Sequence, residues 1–426
     1  MFIRPRGVFV HALALAALFL AASPQQVSPL DEQMAKLYEQ QRFLELRTLL
    51  ASQTGNTPDL VYYRGMLANA FNRPAESIDL LSAFLQRVGD GLPETALRDI
   101  LSVLDEDYTM LFQYGKAAEV REREMPIVRK TMSRTELEGY VSITALWRAL
   151  ASAPPQTVEI PGDTELALTE RGEVTAAING VEVPLLPDTG SELSMITRSD
   201  AERIGLEILD VDVAIGTATG KVVKAQACLV PELRLGPISV RNAVFLVVPE
   251  ARLHFSELRL QLRGLIGFPI LAGLAELTFT RRGKLVVSSP PHLEDPPNFF
   301  LGQTDPVLEA QYEGRRLLFF LDTGSFQTEL FPSFFKAFAP EVLRFGIFRP
   351  ATVEGVGGRA TTPIYLMSGL SFRVAGEDVR FNKTIPVLPR TSGDPSERFD
   401  GTFGLDILDD LRELTVNYGA MRISLR

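Results

Sequence analysis

The chain has 426 residues, of which 46% are hydrophobic and 23% charged, so we expect several globular domains rather than a single core. Its formal net charge of -10 argues against a nucleic-acid partner, because such a partner requires a basic face. The three histidines are far apart and the single cysteine, Cys228, rules out an internal disulfide and a thiolate metal cluster, so we predict a buried thiol and no metal site.

The first 23 residues resemble a secretory signal peptide. Arg4 and Arg6 precede an apolar stretch, residues 8–22, which is too short to span a membrane comfortably. Pro24 follows the small residues at which a peptidase would cut, so a retained N-terminal membrane anchor stays open as the alternative. Export combined with the lack of an internal disulfide fits a bacterial periplasm better than a eukaryotic secretory route, so we predict an exported protein, periplasmic or extracellular.

Residues 29–150 have apolar side chains at intervals of three and four, which predicts a helical domain. Three stretches in it look related and resemble tetratricopeptide-like hairpins: QQRFLELRTLL, FNRPAESIDLL and FQYGKAAEVRE. Phe71 and Phe112 are 41 positions apart, however, whereas that repeat has a period of about 34. We therefore predict an α-solenoid-like domain that docks a protein partner, with a plain helical bundle as the alternative.

From Val158 onward, β-branched residues alternate with polar ones and turn dipeptides recur, which predicts short strands. Two Pro-rich breaks bound this region: ASAPPQT, from Ala151, ends the helical part, and SSPPHLEDPP, from Ser288, divides the strands. The strands therefore fall into a first half, residues 158–287, and a second half, residues 298–426.

The two halves follow one plan. Each contains Asp-Thr-Gly-Ser after an apolar run, beginning at Asp188 and at Asp322. A turn glycine, Gly180 or Gly314, stands eight positions before each acid and predicts a β-hairpin whose return strand leads into the acid. The ends also match, because GLIGFPIL and GTFGLDIL align without a gap. We infer an internal duplication.

A carboxylate at the end of an apolar strand is costly to bury alone. Two facing carboxyls can share one proton, so that one ionised group activates a water while the other polarises a carbonyl. In each turn, glycine lets the backbone approach the partner acid, serine can donate to the outer carboxylate oxygens, and threonine can bond across to the opposite backbone. These supporting residues are Thr189, Gly190, Ser191, Thr323, Gly324 and Ser325.

Paired turns of this kind, each followed about eighty residues later by an apolar-apolar-Gly segment, resemble the aspartic peptidases. The likeness is to single-chain bacterial members with two retropepsin-like halves, and it covers residues 158–426. It implies an all-β bilobal fold with catalytic Asp188 and Asp322 at the interface, a polypeptide substrate and no cofactor. It also implies glycine-tipped flaps over the cleft, at Gly216 and Thr217 in the first half and at Gly355 and Gly357 in the second.

The sequence departs from the family pattern at three points. Pro187 stands before the first acid, where Leu321 precedes the second, and proline removes a backbone donor. Pro269 stands where the second half has Asp406. Neither predicted flap has the tyrosine typical of pepsin-like enzymes, which favours the retropepsin-like branch.

The sequence therefore predicts an aspartic endopeptidase that activates a water between two acids. A secreted peptide-binding or scaffold protein with a degenerate protease fold is the alternative. A glycosidase also uses two carboxylates, but the only tryptophan, Trp147, lies in the helical part and leaves little with which to build a sugar platform. The scattered histidines argue against a metallohydrolase.

Overall fold

The computed structural model describes residues 28–216, 222–255, 259–293, 296–355, 358–389 and 399–426, leaving aside the side chains at 90 and 352–360. These residues fall into two compact units, one ending at Pro155 and the other running from Gln156 to Arg426. The first unit is helical and the second is rich in strands, as predicted. The predicted export segment, residues 1–23, lies outside the described residues.

Sequence signals for helix starts are visible at several helices of the first unit. Its α-helices are α1 (Pro29–Glu39), α2 (Phe43–Ala51), α3 (Pro58–Ala70), α4 (Pro74–Val88), α5 (Glu94–Met110), α6 (Tyr114–Thr131) and α7 (Arg134–Ala149), with a 3-10 turn at Gly89–Gly91. Helices α1, α3 and α4 begin with proline, whose missing N–H is not needed in the first turn. Ser133 and Glu136 form a reciprocal capping box at the start of α7.

Consecutive helices pack against one another, most extensively α3 with α4 and α5 with α6. Three of the later helices are joined by the buried guanidinium of Arg121 on α6. It donates to the carboxylate of Asp105 on α5, to the hydroxyl of Thr144 and to the carbonyl of Tyr140, the last two on α7. A buried charge needs partners of this kind, so this cluster ties the three helices together.

The second unit contains the remaining elements. Its strands are β1 (Thr157–Glu159), β2 (Thr164–Ala167), β3 (Val174–Ile178), β4 (Val181–Pro187), β5 (Ser194–Thr197), β6 (Ile208–Gly216), β7 (Val222–Leu235), β8 (Ile238–Val248), β9 (His254–Phe255), β10 (Leu260–Gln261), β11 (Gly264–Ile266), β12 (Glu276–Thr280), β13 (Lys284–Val287), β14 (Phe299–Gly302), β15 (Asp305–Tyr312), β16 (Arg315–Leu321), β17 (Glu329–Leu330), β18 (Ile347–Gly355), β19 (Gly358–Met367), β20 (Ser371–Val374), β21 (Glu377–Arg380), β22 (Ile385–Val387), β23 (Gly401–Phe403), β24 (Glu413–Asn417) and β25 (Arg422–Leu425). Its helices are α8 (Arg198–Ile204), α9 (Phe268–Gly273) and α10 (Pro332–Phe345), with 3-10 turns at Glu250–Arg252 and Leu405–Asp409.

The sheet of the first half has the order β1-β8-β5-β11-β4-β3-β7-β6. Strand β4 leads into Asp188 and lies between antiparallel β3 and parallel β11. Strand β11 in turn pairs antiparallel with β5. Because β4 is an interior strand, its second half is continuously apolar and buried, and the acid emerges only where the strand ends.

The sheet of the second half has the order β18-β19-β22-β17-β23-β16-β15-β20-β21, with β14 added on β15. Strand β16 leads into Asp322 and lies between antiparallel β15 and parallel β23. Strand β23 pairs antiparallel with β17. The pairing around the second acid thus has the same pattern as the pairing around the first.

A further sheet joins strands of both halves in the order β2-β13-β12-β24-β25. Its central pair, β12 and β24, is antiparallel, with Thr278 opposite Thr415. The hydroxyl oxygens of these two threonines lie 2.8 Å apart. The two halves are therefore tied together by main-chain hydrogen bonds away from the acidic turns.

Both predicted hairpins are confirmed. The turn between β3 and β4 has positive φ at Asn179 (50°) and Gly180 (78°), and the turn between β15 and β16 has positive φ at Glu313 (48°) and Gly314 (74°). Two successive residues of positive φ match the right-handed twist of the flanking strands. The turns therefore direct each return strand towards its acid.

Cys228 lies on β7 with its thiol buried, as predicted. Within the described ranges, no helix has the length and apolar character that crossing a membrane requires. The same part of the chain contains no group of His, Cys, Asp and Glu side chains arranged to hold a metal ion.

Candidate active site

The first turn, residues 188–191, and the second turn, residues 322–325, each begin at the end of a buried strand. The main-chain N–H of Asp188 donates to the carbonyl of Ile266 on β11 at 2.9 Å. The N–H of Asp322 donates to the carbonyl of Phe403 on β23, also at 2.9 Å. The parallel neighbour of each leading strand therefore fixes the position of the acid.

The two turns face each other at very close range. A Cβ atom placed on Gly190 would lie 2.7 Å from Cγ of Asp322, and a Cβ on Gly324 would lie closer still to Cγ of Asp188. Real Cβ atoms do not approach other atoms so closely, so each acid occupies the space that the glycine of the opposite turn leaves empty. The structure thus brings together Asp188 and Asp322, as the sequence predicted.

The threonine of each turn forms hydrogen bonds with the backbone of the opposite turn. The hydroxyl of Thr189 donates to the carbonyl of Leu321 at 2.7 Å and accepts from the N–H of Thr323 at 3.0 Å. The hydroxyl of Thr323 donates to the carbonyl of Pro187 at 2.8 Å and accepts from the N–H of Thr189 at 3.1 Å. The predicted crossing bonds are confirmed, and they hold the acids in register.

Pro187 does not interrupt this arrangement, because the turn uses its carbonyl and not an N–H. That carbonyl accepts the Thr323 hydroxyl. The carbonyl of Leu321 has the same role in the second half, where it accepts the Thr189 hydroxyl. The hydrogen bonds between the two turns therefore form despite the departure at Pro187.

Main-chain N–H groups, not serine hydroxyls, support the carboxylates. Gly190 donates its N–H to Oδ1 of Asp188 at 3.0 Å, and Gly324 donates to Oδ1 of Asp322 at 2.9 Å. The N–H of Ser325 adds a bond to Asp322 at 3.1 Å.

The prediction that the two serine hydroxyls bond the outer carboxylate oxygens is corrected. Ser191 donates to the carbonyl of Leu193 and Ser325 to that of Gln327, each at 2.8 Å. The reason is proximity, since a short hydroxyl reaches a carbonyl two residues ahead in its own turn more readily. The serines therefore shape the turns.

Burial makes the pair electrostatically unusual. Asp188 is only 5% exposed, whereas Asp322 is partly exposed. Burial raises the pKa of the Asp188 carboxyl, and the charge of Asp322 and a hydrogen bond with its carboxyl raise it further. Such a pair retains one proton between two carboxyls at a pH where isolated acids have lost theirs.

The support beneath the turns differs between the halves. The N–H of Gly267 donates to Ser194 in the first half, and that of Gly404 donates to Thr328 in the second. Only Thr328 is itself bound by an acid, because its N–H and hydroxyl both donate to the carboxylate of Asp406. The glycine bond is thus common to both halves, and the carboxylate that binds its acceptor is the feature that differs.

Pro269 stands at the position that corresponds to Asp406. Its carbonyl accepts a bond from the side-chain amide of Gln156 at 2.8 Å. The departure at Pro269 therefore changes the support below the first turn, and it leaves the acids themselves in place.

Comparison with protein-family models matches residues 174–270 to the aspartyl protease family. The first half contains an aspartyl protease domain. The matched segment includes Asp188 and its turn, strand β11 and the start of α9, whereas the second turn lies outside it.

Two further proteins are similar to parts of the chain. A curated protein from Sinorhizobium sp, described as an uncharacterized protein in the cobV 5' region, is 31% identical over 144 residues, which are 32% of this chain and 59% of that protein. The chain thus spans somewhat over half the length of this relative. A crystal structure of a retropepsin-like aspartic protease from Rickettsia conorii matches 32% of this chain and 94% of its own, with 18% identity and a TM-score of 0.22.

The predicted flap of the aspartyl protease domain is a β-hairpin in its described part. Strand β6 ends at Gly216, which pairs with Val222 at the start of β7. In the second half, Gly355 at the end of β18 pairs with Gly358 at the start of β19. The other two predicted flap residues, Thr217 and Gly357, lie outside the described residues.

A cavity of about 740 Å³ opens beside the second turn and is lined in part by Gly324 and Ser325. Residues of the aspartyl protease domain and of the second half both contribute to it. The sequence interpretation missed one acid in its lining, Glu329 on β17. A signal was available, because Glu329 is a charged residue seven positions after the second acid, where the first half has Met195.

Proposed function

We propose that the chain is an aspartic endopeptidase that hydrolyses peptide bonds with a water activated between Asp188 and Asp322. The observation that carries the proposal is the reciprocal packing of the two turns, in which each acid fills the space beside the glycine of the other. The family match of residues 174–270 supports the same chemistry for the first turn. No cofactor takes part in the proposed reaction.

The proposed reaction needs one proton shared by the two acids. Asp188 is the more buried acid and its pKa is raised, so we assign it the proton in the resting site and assign Asp322 the ionised form. Asp322 takes a proton from water as the water oxygen attacks the peptide carbonyl carbon, while Asp188 donates its proton to the carbonyl oxygen. The resulting gem-diol then collapses: Asp322 gives the proton it took from water to the nitrogen, and Asp188 takes a proton from one gem-diol hydroxyl. The C–N bond breaks, the amine and the carboxylic acid leave, and Asp188 again holds the shared proton.

An extended peptide suits the cleft, because β6 and β18 are the last strands at one edge of their sheets and can add it as a further strand. The hairpins β6–β7 and β18–β19 would supply that pairing. A single chain would thus bind a polypeptide substrate between its own halves.

The experiment is a cleavage assay on casein and on a peptide library, read by mass spectrometry. We expect Asp188→Asn and Asp322→Asn each to lower kcat by about 100-fold or more, because neither can complete the proton exchange. Asp378→Asn, at an exposed position on β21, is the matched control and should retain activity. Cleavage that persists in both dyad variants would reject the mechanism, and peptide binding without cleavage would support the scaffold alternative.

We also propose that the two halves arose by internal duplication. The support is the repeated strand pairing around each acid, β4 with β11 and β16 with β23. The contact between Thr278 and Thr415, which are equivalent at a spacing of 137, is what an approximate twofold axis produces. The lobes would then be residues 158–287 and 298–426.

For the remaining parts we propose the following roles. Residues 1–23 direct export to the periplasm or the extracellular space, or anchor the chain in a membrane if they are retained. The helical unit is solenoid-like and docks a protein partner. Fractionation of cells producing the full chain tests the first role, and loss of a copurifying protein when residues 29–150 are removed tests the second.

A further inference from the structure

The cavity beside the second turn has walls suited to an aliphatic chain. Apolar side chains from both halves line it: Leu260, Leu262, Phe326, Ile364, Leu366 and Pro386. Its position next to Gly324 and Ser325 places it along the path of any substrate that reaches the acids. The cavity is therefore a candidate for holding one side chain of that substrate.

The polar groups of this cavity are not equivalent. Asp406 is already bonded by the N–H and hydroxyl of Thr328. Lys383 carries its own counter-ion, since its ammonium lies 2.6 Å from the carboxylate of Asp409. Among the residues that the structure describes, the Glu329 carboxylate has no hydrogen bond or ion pair, and Asp322 and Asp406 only add negative charge near it. Glu329 is thus the carboxylate left open to a ligand.

In the first half, the strand position that corresponds to Glu329 holds an apolar residue. Met195 occupies it on β5 and is fully buried. Glu329 is half-buried at the cavity wall, where a carboxylate is unfavourable; burial, followed by the charges of Asp322 and Asp406, raises its pKa to about 7. A cationic ligand would offset this penalty.

We propose that the cavity is a subsite for a basic side chain of the substrate, lysine or arginine, with Glu329 as the specificity-determining residue. This inference rests on the proposed peptidase function, because the subsite borders the same turn. The aliphatic stem of the side chain packs on the apolar walls and the cationic head donates to the Glu329 carboxylate.

The test uses pairs of peptides blocked at both ends, so that the only added cation is a side chain. The two members differ by lysine or norleucine at one position near the cleaved bond, and each position is scanned. We expect the intact chain to cleave the lysine peptide with a kcat/KM about tenfold higher at one position, the effect of one charge-assisted hydrogen bond. Equal rates at every position would overturn the proposal.

Two variants assign the preference to Glu329. Glu329→Gln keeps the shape of the side chain, and Glu329→Met introduces the residue that the first half already accommodates. Both should reduce the lysine-to-norleucine ratio to about one while the norleucine peptide is still cleaved. Glu377→Gln, an exposed residue of β21, should leave the ratio unchanged. A ratio that survives in both Glu329 variants would exclude this residue.

The same ratio should depend on pH. Glu329 gains its charge as pH rises through about 7, so lysine preference should be stronger at pH 8 than at pH 5. Comparing two peptides at one pH cancels the ionisation of the catalytic acids. A ratio that is independent of pH in the unmodified chain would contradict a role for the Glu329 charge.

A binding experiment separates this inference from the proposed reaction. In Asp188→Asn, calorimetry of the same peptides should show about tenfold tighter binding of the lysine member, and the difference should vanish when Glu329→Gln is added. If the chain binds selectively and cleaves nothing, the subsite stands and the peptidase function fails. If the chain cleaves peptides without preferring lysine, the peptidase function stands and the subsite fails.

Discussion

The two halves of the β unit build the same acidic turn and brace it with different chemistry. In the first half, Asp200 at the start of α8 is a buried carboxylate bound by Arg203, Arg263 and the hydroxyl of Thr197. These bonds outweigh burial and lower its pKa to about 2. An ion cluster therefore secures the helix that follows the first turn.

In the second half the corresponding position is Phe334, on α10. Its ring packs against Phe338 at 4.7 Å and Tyr312 at 5.5 Å between centroids. Aromatic packing thus replaces an ion cluster, twelve positions after each acid. The comparison shows that the acidic turn requires the same residues in both halves, including its glycine. The contacts that hold the helix after the turn can be polar or apolar.

The two halves also differ in the residues around the proposed substrate site. Polar groups accumulate in the second half, where Glu329 and Asp406 stand at positions that Met195 and Pro269 occupy in the first. A peptide has different side chains on either side of the cleaved bond, so a cleft with unlike walls can recognise its direction. We therefore expect the symmetric turns to serve catalysis and the asymmetric surroundings to serve selection.

Substitutions in the two symmetric acidic turns should have the largest effect on the cleavage rate. Gly324→Ala would place a methyl group against the Asp188 carboxyl, and Gly190→Ala would do the same to Asp322. We expect either change to lower kcat by about 100-fold, because displacing one acid by even 1 Å disturbs the shared proton. The measurement is the steady-state cleavage rate of a peptide substrate.

Gly162→Ala is the matched control, since a Cβ at Gly162 would meet no atom within 4 Å. It should leave the rate unchanged. Full activity in both turn variants would mean that the two acids do not need their present separation, and the reciprocal packing would lose its functional meaning.

A substitution at Glu329, in the asymmetric surroundings of the turns, should have a smaller effect, and this effect is on the free energy of unfolding. The ordinary pKa of Glu329 is 4.5 and its pKa in the folded chain is about 7. Folding is therefore unaffected by its charge below pH 4.5 and becomes less favourable as pH rises to 7. Glu329→Gln removes this penalty, so we expect its free energy of unfolding to exceed that of the unmodified chain by about 3 kcal/mol more at pH 8 than at pH 4.5.

Urea unfolding at the two pH values measures the difference. Glu377→Gln serves again as the control and should show no such change with pH, because this side chain is exposed. An equal effect of Glu329→Gln at both pH values would show that Glu329 carries no penalty in the folded chain, and the argument for an open carboxylate would weaken.

Local signals explain what the sequence could predict. The hairpin turns at Gly180 and Gly314, the acids that follow them and the crossing threonines all depend on residues close together in the chain. These features reappear in the structure at the predicted positions.

Features that depend on the exact backbone geometry of a turn, or on residues far away in the chain, could not be predicted in the same way. The partners of the serine hydroxyls follow from the detailed curve of each turn, which brings the Leu193 and Gln327 carbonyls within reach. The openness of Glu329 depends on Asp406 being occupied by Thr328 and on Lys383 being occupied by Asp409. Only the fold shows which carboxylates are already partnered.

The most direct measurement of the central claim is a crystal structure with a peptide whose scissile amide is replaced by a hydroxyethylene group. Its hydroxyl stands in for the attacking water, so we expect one such peptide per chain, with that oxygen within about 3 Å of the carboxyls of both Asp188 and Asp322. A hydroxyl bound by one acid alone, or by neither, would show that the two turns do not form a single catalytic site.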